Sequence, residues 1–399
     1  MRAVVVTQPG SAELTVIPDP SPGPSEVVVR VSSCGLCGTD MHILGGELPS
    51  VGYPLVPGHE LTGVVVETGR DVRFPLVGQR VAVDPNTPCG ACHYCRIGRG
   101  NLCEHYTAVG VTRDGGFAEY VAVPAGRCHV LPEGLSEAAA GLVEPLSCAV
   151  HGLSRLPRRP GEHYLVYGAG TMGLMMAALV AHSGAASVSV VDPNTRRLDL
   201  ARRMGADATA ANADELGRDH GFEVVIDATG VIAAIEDGLG RVRKGGTFLQ
   251  FGVADPAKRA SFSPFLVYNR EIDIIGSMAV HNGFQPAVEI LAGGLDLDPL
   301  VSDVLPLERF DEAVGLFRAG AGQKIHLAPQ LDDPRVAGAV ARGAAGAESP
   351  VIVAPEVAAA TEAATAAAAE AAARLATATA GDAAAAEGVD AAATTDAAS

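Results

Sequence analysis

Basic residues are scarce in this chain. Of its 399 residues, 29 are Lys or Arg against 46 Asp or Glu, a formal charge of -17. Broad contact with phosphate backbones or anionic lipid needs clustered cations, so neither nucleic acid nor a membrane is an expected partner. Long apolar runs are also lacking. Met1 to Thr7 holds no apolar segment of secretory-signal length, and the expected location is cytoplasmic. The longest uncharged stretch, Tyr164 to His182, approaches membrane length but is broken by Gly168, Gly170 and Gly173. Eight Cys do not make a disulfide scaffold at this length; in a chain without an export signal, clustered Cys point to metal.

The length predicts two domains. Residues 331–399 stand apart, with 31 Ala, ten acidic and three basic side chains, and no Phe, Tyr, Cys or His. So little to bury predicts a disordered, Ala-rich tail. Residues 1 to about 150 read as β-rich, in short runs such as Glu26 to Val31, Leu61 to Glu67 and Gln79 to Val83 between Pro- and Gly-rich turns. From His163 the pattern becomes strand, helix, strand, helix, which predicts an α/β domain: a doubly wound parallel sheet covered on both faces.

Gly168-Ala-Gly-Thr-Met-Gly173 follows the first of these strands and opens a helix, the context in which this glycine pattern binds a dinucleotide. Gly168 permits a sharp turn, Gly170 lets backbone approach a pyrophosphate, and Gly173 lets helix pack on strand, with Met172 inside the turn. The helix N-terminus then offers unpaired N–H groups to phosphate. Asp192 ends the second strand, where a carboxylate accepts hydrogen bonds from a ribose 2′-hydroxyl and repels a 2′-phosphate. NAD is therefore favoured over NADP. Arg196 and Arg197 pull the other way, since an Arg there can hold the extra phosphate. Asp192 also has a plainer reading, as a turn residue before Pro193.

Cys89, Cys92, Cys95 and Cys103 lie within 15 residues in a Gly-rich loop. Four thiolates close a tetrahedral zinc site with no open position, so this site is expected to be structural, with His93 and His105 as bystanders. A second constellation is dispersed: Cys37, then His59 and Glu60. One thiolate, one imidazole and one carboxylate leave a fourth position for water or substrate, as a catalytic zinc requires. On spacing alone, Cys34-x2-Cys37 could equally be half of another metal site.

Five motifs occur in one order: Cys34-Gly-Leu-Cys-Gly-Thr-Asp-Met-His42, Gly58-His-Glu60, the four-cysteine loop, Glu144-Pro-Leu-Ser147 and the Gly168 turn. Together, over residues 1 to 328, they resemble the zinc-dependent medium-chain alcohol dehydrogenases, and within them the polyol (sorbitol- and arabitol-type) branch. The resemblance implies a Rossmann domain at 154–297 between the halves of a β-rich, GroES-like catalytic domain, 1–153 and 298–330, with the tail at 331–399. It implies two zinc ions and NAD per chain, and a homodimer or homotetramer. Cys37 and His59 map to ligands of the catalytic zinc, and Cys34 to the core. Glu60 and Glu144 compete for the remaining place. Zinc would lower the pKa of a bound alcohol, whose carbon gives hydride to the nicotinamide. Thr39 maps to the hydroxyl that accepts the alcohol proton, and His42 to the relay that passes it to solvent through the cofactor ribose. Asp40 would orient the ligands, and Thr229-Gly230 would line the nicotinamide. Glu119, Cys128, Cys148, His151, His163, His182, His281 and His326 are read as structural.

One departure bears on substrate. Animal-type sorbitol enzymes carry an Arg-Tyr pair where this chain has Ala279 and Val280, which argues against sorbitol itself. The expected substrate is a small-molecule secondary alcohol of the polyol class. The alternatives are a threonine-type amino alcohol, a cyclitol, or no turnover at all in an idle zinc- and nucleotide-binding sensor.

Overall fold

A computed structural model of the chain describes residues 1–157 and 159–330. The expected disordered tail lies outside the described residues. The chain opens as an antiparallel hairpin, β1 (Arg2–Gln8) with β2 (Ser11–Val16). β3 (Glu26–Gly35) is rich in Val because it is buried along most of its length. The short helix α1 (Gly38–Gly45) follows, then β4 (Glu60–Thr68) and β5 (Arg80–Val83). β6 (Asn86–Thr87) pairs with β7 (Thr107–Ala108) to close the base of the four-cysteine loop, which carries α2 (His93–Arg96). β8 (Tyr120–Pro124), β9 (Cys128–Val130), α3 (Glu137–Ala140) and α4 (Val143–Ser154) complete this part.

The next segment alternates as the sequence pattern predicts. β10 (His163–Tyr167) leads into α5 (Thr171–His182), β11 (Ser187–Val191) into α6 (Thr195–Arg203). β12 (Ala208–Ala210), β13 (Phe222–Asp227), α7 (Ile232–Arg241), β14 (Val242–Gln250), α8 (Pro264–Arg270) and β15 (Asp273–Gly276) follow. These six strands form one all-parallel sheet in the order β12-β11-β10-β13-β14-β15. Counted along the chain this is 3-2-1-4-5-6, the doubly wound order, whose direction reverses between β10 and β13. A crevice therefore opens at the carboxyl ends of those two strands.

After α9 (Phe284–Ala292) the chain returns to the first sheet through β16 (Val301–Leu305), α10 (Phe310–Arg318) and β17 (Lys324–Leu327). β17 pairs antiparallel with the end of β3, giving the order β16-β17-β3-β4-β5-β9, and β8 pairs with Glu26–Arg30 along the same edge of β3 as β17, opposite β4. A strand from the end of the described chain thus lies beside α1.

The apolar run that approaches membrane length is α5. Its residues Gly173 to Val180 are all buried, and it packs with α4 in one core cluster. At about 1.5–3 kcal/mol for each large apolar side chain removed from water, this helix is a major source of the domain's stability. Among the described residues no helix is long and apolar enough to cross a membrane. The close approach of α5 to β10 depends on the third glycine of the turn, because a Cβ on Gly173 would stand 1.9 Å from the Gly168 carbonyl oxygen. Gly173→Ala is expected to cost about 1–3 kcal/mol, as overpacking does, and to lower the melting temperature in thermal denaturation.

Candidate metal centres and cofactor crevice

The antiparallel register of β3 and β4 sets Gly35 opposite Glu60. Cys37 stands two residues beyond Gly35, so the chain's turn into α1 brings its thiol to the residues that open β4. The ligand atoms of Cys37, His59 and Glu60 lie within 4.8 Å of one another, with His59 and Glu60 buried. Cys34 is fully buried and takes no part in the cluster. Asp40, with no exposed surface, holds the assembly together. Its Oδ2 accepts from the Cys37 N–H at 2.8 Å, its Oδ1 from the Gly58 N–H at 3.2 Å, and Oδ1 stands 3.6 Å from His59 Nδ1.

The residues fit zinc on two counts. A thiolate, an imidazole and a carboxylate are donors zinc takes while keeping a fourth position. His59 Nδ1 is also buried without a hydrogen-bond partner. The electrostatics agree. Burial opposes a charge on His59, yet Asp40 and Cys37 hold its pKa well above the ordinary value. Burial and then the neighbouring Glu60 lift the Glu144 carboxyl to about 7. Anionic groups are in excess here, and a divalent cation offsets them.

Glu60, not Glu144, belongs to the three-residue cluster. Glu144 lies in the first turn of α4, where its Oε1 accepts from the Cys148 thiol at 3.7 Å. Cys148 is thus half-buried beside the site rather than a plain core residue. Thr39 Oγ1 is 3.9 Å from Cys37 Sγ. His42, its side chain 52% exposed, sits in the last turn of α1 with Nδ1 2.5 Å from Glu47. Sequence reasoning missed Lys324. Its ammonium is buried, pairs with the Glu60 carboxylate and donates to the Leu36 carbonyl at 3.2 Å. Burial opposes that charge, but Glu60 and Cys37 raise its pKa. The available signal was one Lys opening the apolar run Ile325-His-Leu-Ala328.

The four sulfur atoms of Cys89, Cys92, Cys95 and Cys103 also lie within 4.8 Å of one another, and all eight cysteines are free thiols. Backbone N–H groups point at them: Cys89 and His105 donate to Cys103 Sγ at 3.2 and 3.3 Å, and Ala91 and Cys92 to Cys89 Sγ. N–H bonds from Cys95 and Glu104 bring the Cys92 thiol down to about 6, while partial burial and the neighbouring thiols push Cys95 up to about 12. Four such sulfurs carry charge together only around a cation, so this set fits zinc as well. His93 and His105 are exposed and outside the cluster.

In the crevice, Gly168, Gly170, Met172 and Gly173 turn β10 into α5, with Gly170 as the residue before the first helical turn. Asp192 reaches across to this turn. Its Oδ2 accepts from the Ala169 N–H and its Oδ1 from the Asn194 N–H, both at 2.7 Å. The second bond is the turn-residue role; each oxygen keeps a lone pair. Arg196 is exposed, and Arg197 reaches the Gly320 carbonyl at 3.4 Å. Asp227, fully buried at the end of β13, accepts from the N–H groups of Thr229 and Gly230 at 3.0 Å and from the Gln250 amide at 2.7 Å. It fixes the Thr229-Gly230 backbone at the rim.

Residues 23–133 match the alcohol dehydrogenase GroES-like domain, and residues 171–293 the zinc-binding dehydrogenase domain. D-arabinitol dehydrogenase 1 of Uromyces fabae is 39% identical over 316 residues, 76% of this chain and 90% of the relative. The chain belongs to the zinc-dependent medium-chain alcohol dehydrogenases. D-altritol 5-dehydrogenase of Agrobacterium fabrum is similar to this dehydrogenase at 36% over 313 residues, 77% of the chain and 93% of the relative. An L-threonine 3-dehydrogenase of Saccharopolyspora erythraea is 35% identical over 341 residues, 82% and 98%. Two solved structures share the dehydrogenase's fold. A zinc-binding dehydrogenase from Sinorhizobium meliloti 1021 bound to NADP has TM-score 0.78 and 32% identity over 82% of this chain and 99% of that one. An alcohol dehydrogenase from E. coli CFT073 complexed with NADH has TM-score 0.77 and 28% identity over the same shares.

Lys324→Met leaves the Glu60 carboxylate buried and without its cation. Breaking a buried pair from one side costs about 3–5 kcal/mol, so the melting temperature should fall; adding Glu60→Gln should restore part of it.

Proposed function

We propose that this enzyme oxidises a secondary hydroxyl of a sugar alcohol to the ketone, with NAD as hydride acceptor. The observation that carries the reading is the Cys37–His59–Glu60 cluster, half-buried at Cys37 and buried at the other two, a three-donor set of the kind that keeps a fourth position for a ligand. Those three residues would hold the ion, with Glu60 rather than Glu144 as the third ligand. Zinc, when bound, supplies a Lewis acid that lowers the pKa of an alcohol. Asp40 fixes Cys37 and the turn at Gly58 that carries His59 through the two N–H bonds that it accepts. Thr39 takes the alcohol proton, and His42, open to solvent, releases it; an imidazole has the pKa for that handover. Gly168, Gly170, Met172 and Gly173 would hold the dinucleotide pyrophosphate, Asp192 its ribose, and Arg197 the rim beside it.

The polyol class rests on the two relatives of greater identity, which are named for D-arabinitol and D-altritol. The threonine-type alternative has support from the third, and substrate charge separates them. The proposed organisation is a catalytic domain of residues 1–153 and 298–330 around a Rossmann domain of residues 154–297. Assembly as a homodimer or homotetramer is supported by Phe265 and Tyr268, 69% and 81% exposed on α8, near the unpaired edge of β15. Eight free thiols suit a reducing cytoplasm.

Three measurements test this reading. NADH release on a panel of pentitols, hexitols, cyclitols and L-threonine, run with NAD and NADP in parallel, should show turnover on sugar alcohols with NAD preferred. Turnover on threonine alone, or with NADP alone, contradicts it. Cys37→Ser should abolish turnover with an unchanged melting curve; surviving activity removes the catalytic assignment. Cys92→Ser should instead reduce bound zinc from two ions to one and lower the melting temperature, and an unchanged melt would count against a structural site.

A further inference from the structure

Two adjoining cavities, of about 340 and 370 Å3, open where the four-cysteine loop faces the C-terminal end of α4 and the loop after β15. Arg99, His151 and Arg155 line both, and His281 lines the second. Neither contains an acidic residue in its wall, in a chain whose net charge is -17. Among the described residues no carboxylate pairs with either guanidinium. Arg155 spends only its Nε, on the Gly276 carbonyl at 3.3 Å.

The walls also hold unspent hydrogen-bonding capacity. His151 is 5% exposed, and its Nδ1 is buried without a partner. Asn101 Oδ1 and Ser277 Oγ, in the wall of the first cavity, are likewise buried and unpartnered. Native proteins leave few such groups; Asn101 Oδ1 can only accept, but the Ser277 hydroxyl and the His151 ring can donate, and beside two guanidinium groups without a carboxylate partner they mark a place shaped for an anion. The rings of His151 and His281 meet edge to face at 5.3 Å. Burial first, then His281 and the two arginines, brings His151 down to about 4, so its imidazole is neutral and keeps one N–H to donate.

We propose that this cavity binds a phosphate or carboxylate oxyanion, gripped by Arg99 and Arg155 and completed by His151. Arginine suits the task because its planar fork meets such an anion with two parallel hydrogen bonds. The site is not remote from the metal cluster. Glu144, Cys148 and His151 follow one another at i, i+4 and i+7 on a single face of α4, which places His151 about 10 Å along the helix from Glu144. The oxyanion is therefore either the charged end of an acyclic substrate or a separate metabolite.

The probe is inorganic phosphate, titrated calorimetrically into the full zinc-loaded chain, a readout that needs no turnover. Saturable binding is expected, weakened about tenfold or more by Arg155→Gln and by Arg99→Gln, and weakened less by Arg155→Lys, which keeps the charge but loses the fork. Arg155 lies outside the four-cysteine loop, so its variants test the site even if Arg99→Gln disturbs that loop; zinc content and melting point report such a disturbance. Absence of saturation up to tens of millimolar phosphate overturns the proposal, as does wild-type binding in both Gln variants. A steady-state arm separates the sources. Inhibition competitive with the alcohol assigns the anion to the substrate's end, and a change in kcat without competition assigns it to a separate ligand; both support the site.

Discussion

Asp40 is the constraint on which the reactive centre depends. A carboxylate with no exposed surface is costly unless its oxygens are satisfied, and here the Cys37 and Gly58 N–H groups satisfy them beside the His59 ring. The same bonds fix the first turn of α1 against the start of β4. Any slip in that junction would separate thiol from imidazole and strand a buried charge. Ligand geometry and local stability are thus one arrangement, which is why the donor set is positioned by backbone rather than by flexible side chains.

The crevice uses the device twice more. Asp192 joins the end of β11 to the glycine turn, and Asp227 joins the ends of β13 and β14. In each case a buried acid at a strand's carboxyl end accepts from backbone N–H of the loop that follows it and from one N–H group at or just past the end of a neighbouring strand, the Ala169 backbone for Asp192 and the Gln250 amide for Asp227. Loops tied in this way stay open enough to admit a ligand yet keep their shape. Lys324 belongs to the same economy of charge, since it is the one ammonium set among Glu60, Glu144 and Cys37.

Much of this was legible in the sequence where chemistry is local. The Gly168 turn announces itself because strand, glycines and helix are contiguous, and the four cysteines fall in one loop. The alternating pattern after His163 fixes a parallel sheet because only crossover helices join parallel neighbours. What escaped reading depends on distance. Lys324 sits beside Glu60 only because β17 returns to β3, a pairing that no periodicity predicts. Cys148 and His151 read as structural, and the place of Cys148 beside Glu144 and of His151 in the cavity wall follows from which face of α4 each occupies. Asp227 carried a weak signal in Asp-Ala-Thr-Gly, but its reach to Gln250 exists only once β13 and β14 are neighbours. Asp192 was open between two roles, and its two hydrogen bonds tie it at once to the glycine turn and to its own.

The Lys324 ammonium and the Leu36 carbonyl are 288 positions apart in the chain. During synthesis from the N-terminus, the first sheet emerges early but must wait for the whole nucleotide domain to be made before its last strand arrives. Until then the Cys34–Gly35 end of β3 is uncovered on that edge and Glu60 lacks its counter-charge. The nascent enzyme thus passes through a stage in which one domain is finished and the other is held open, a window in which chaperone binding to that bare edge would matter most.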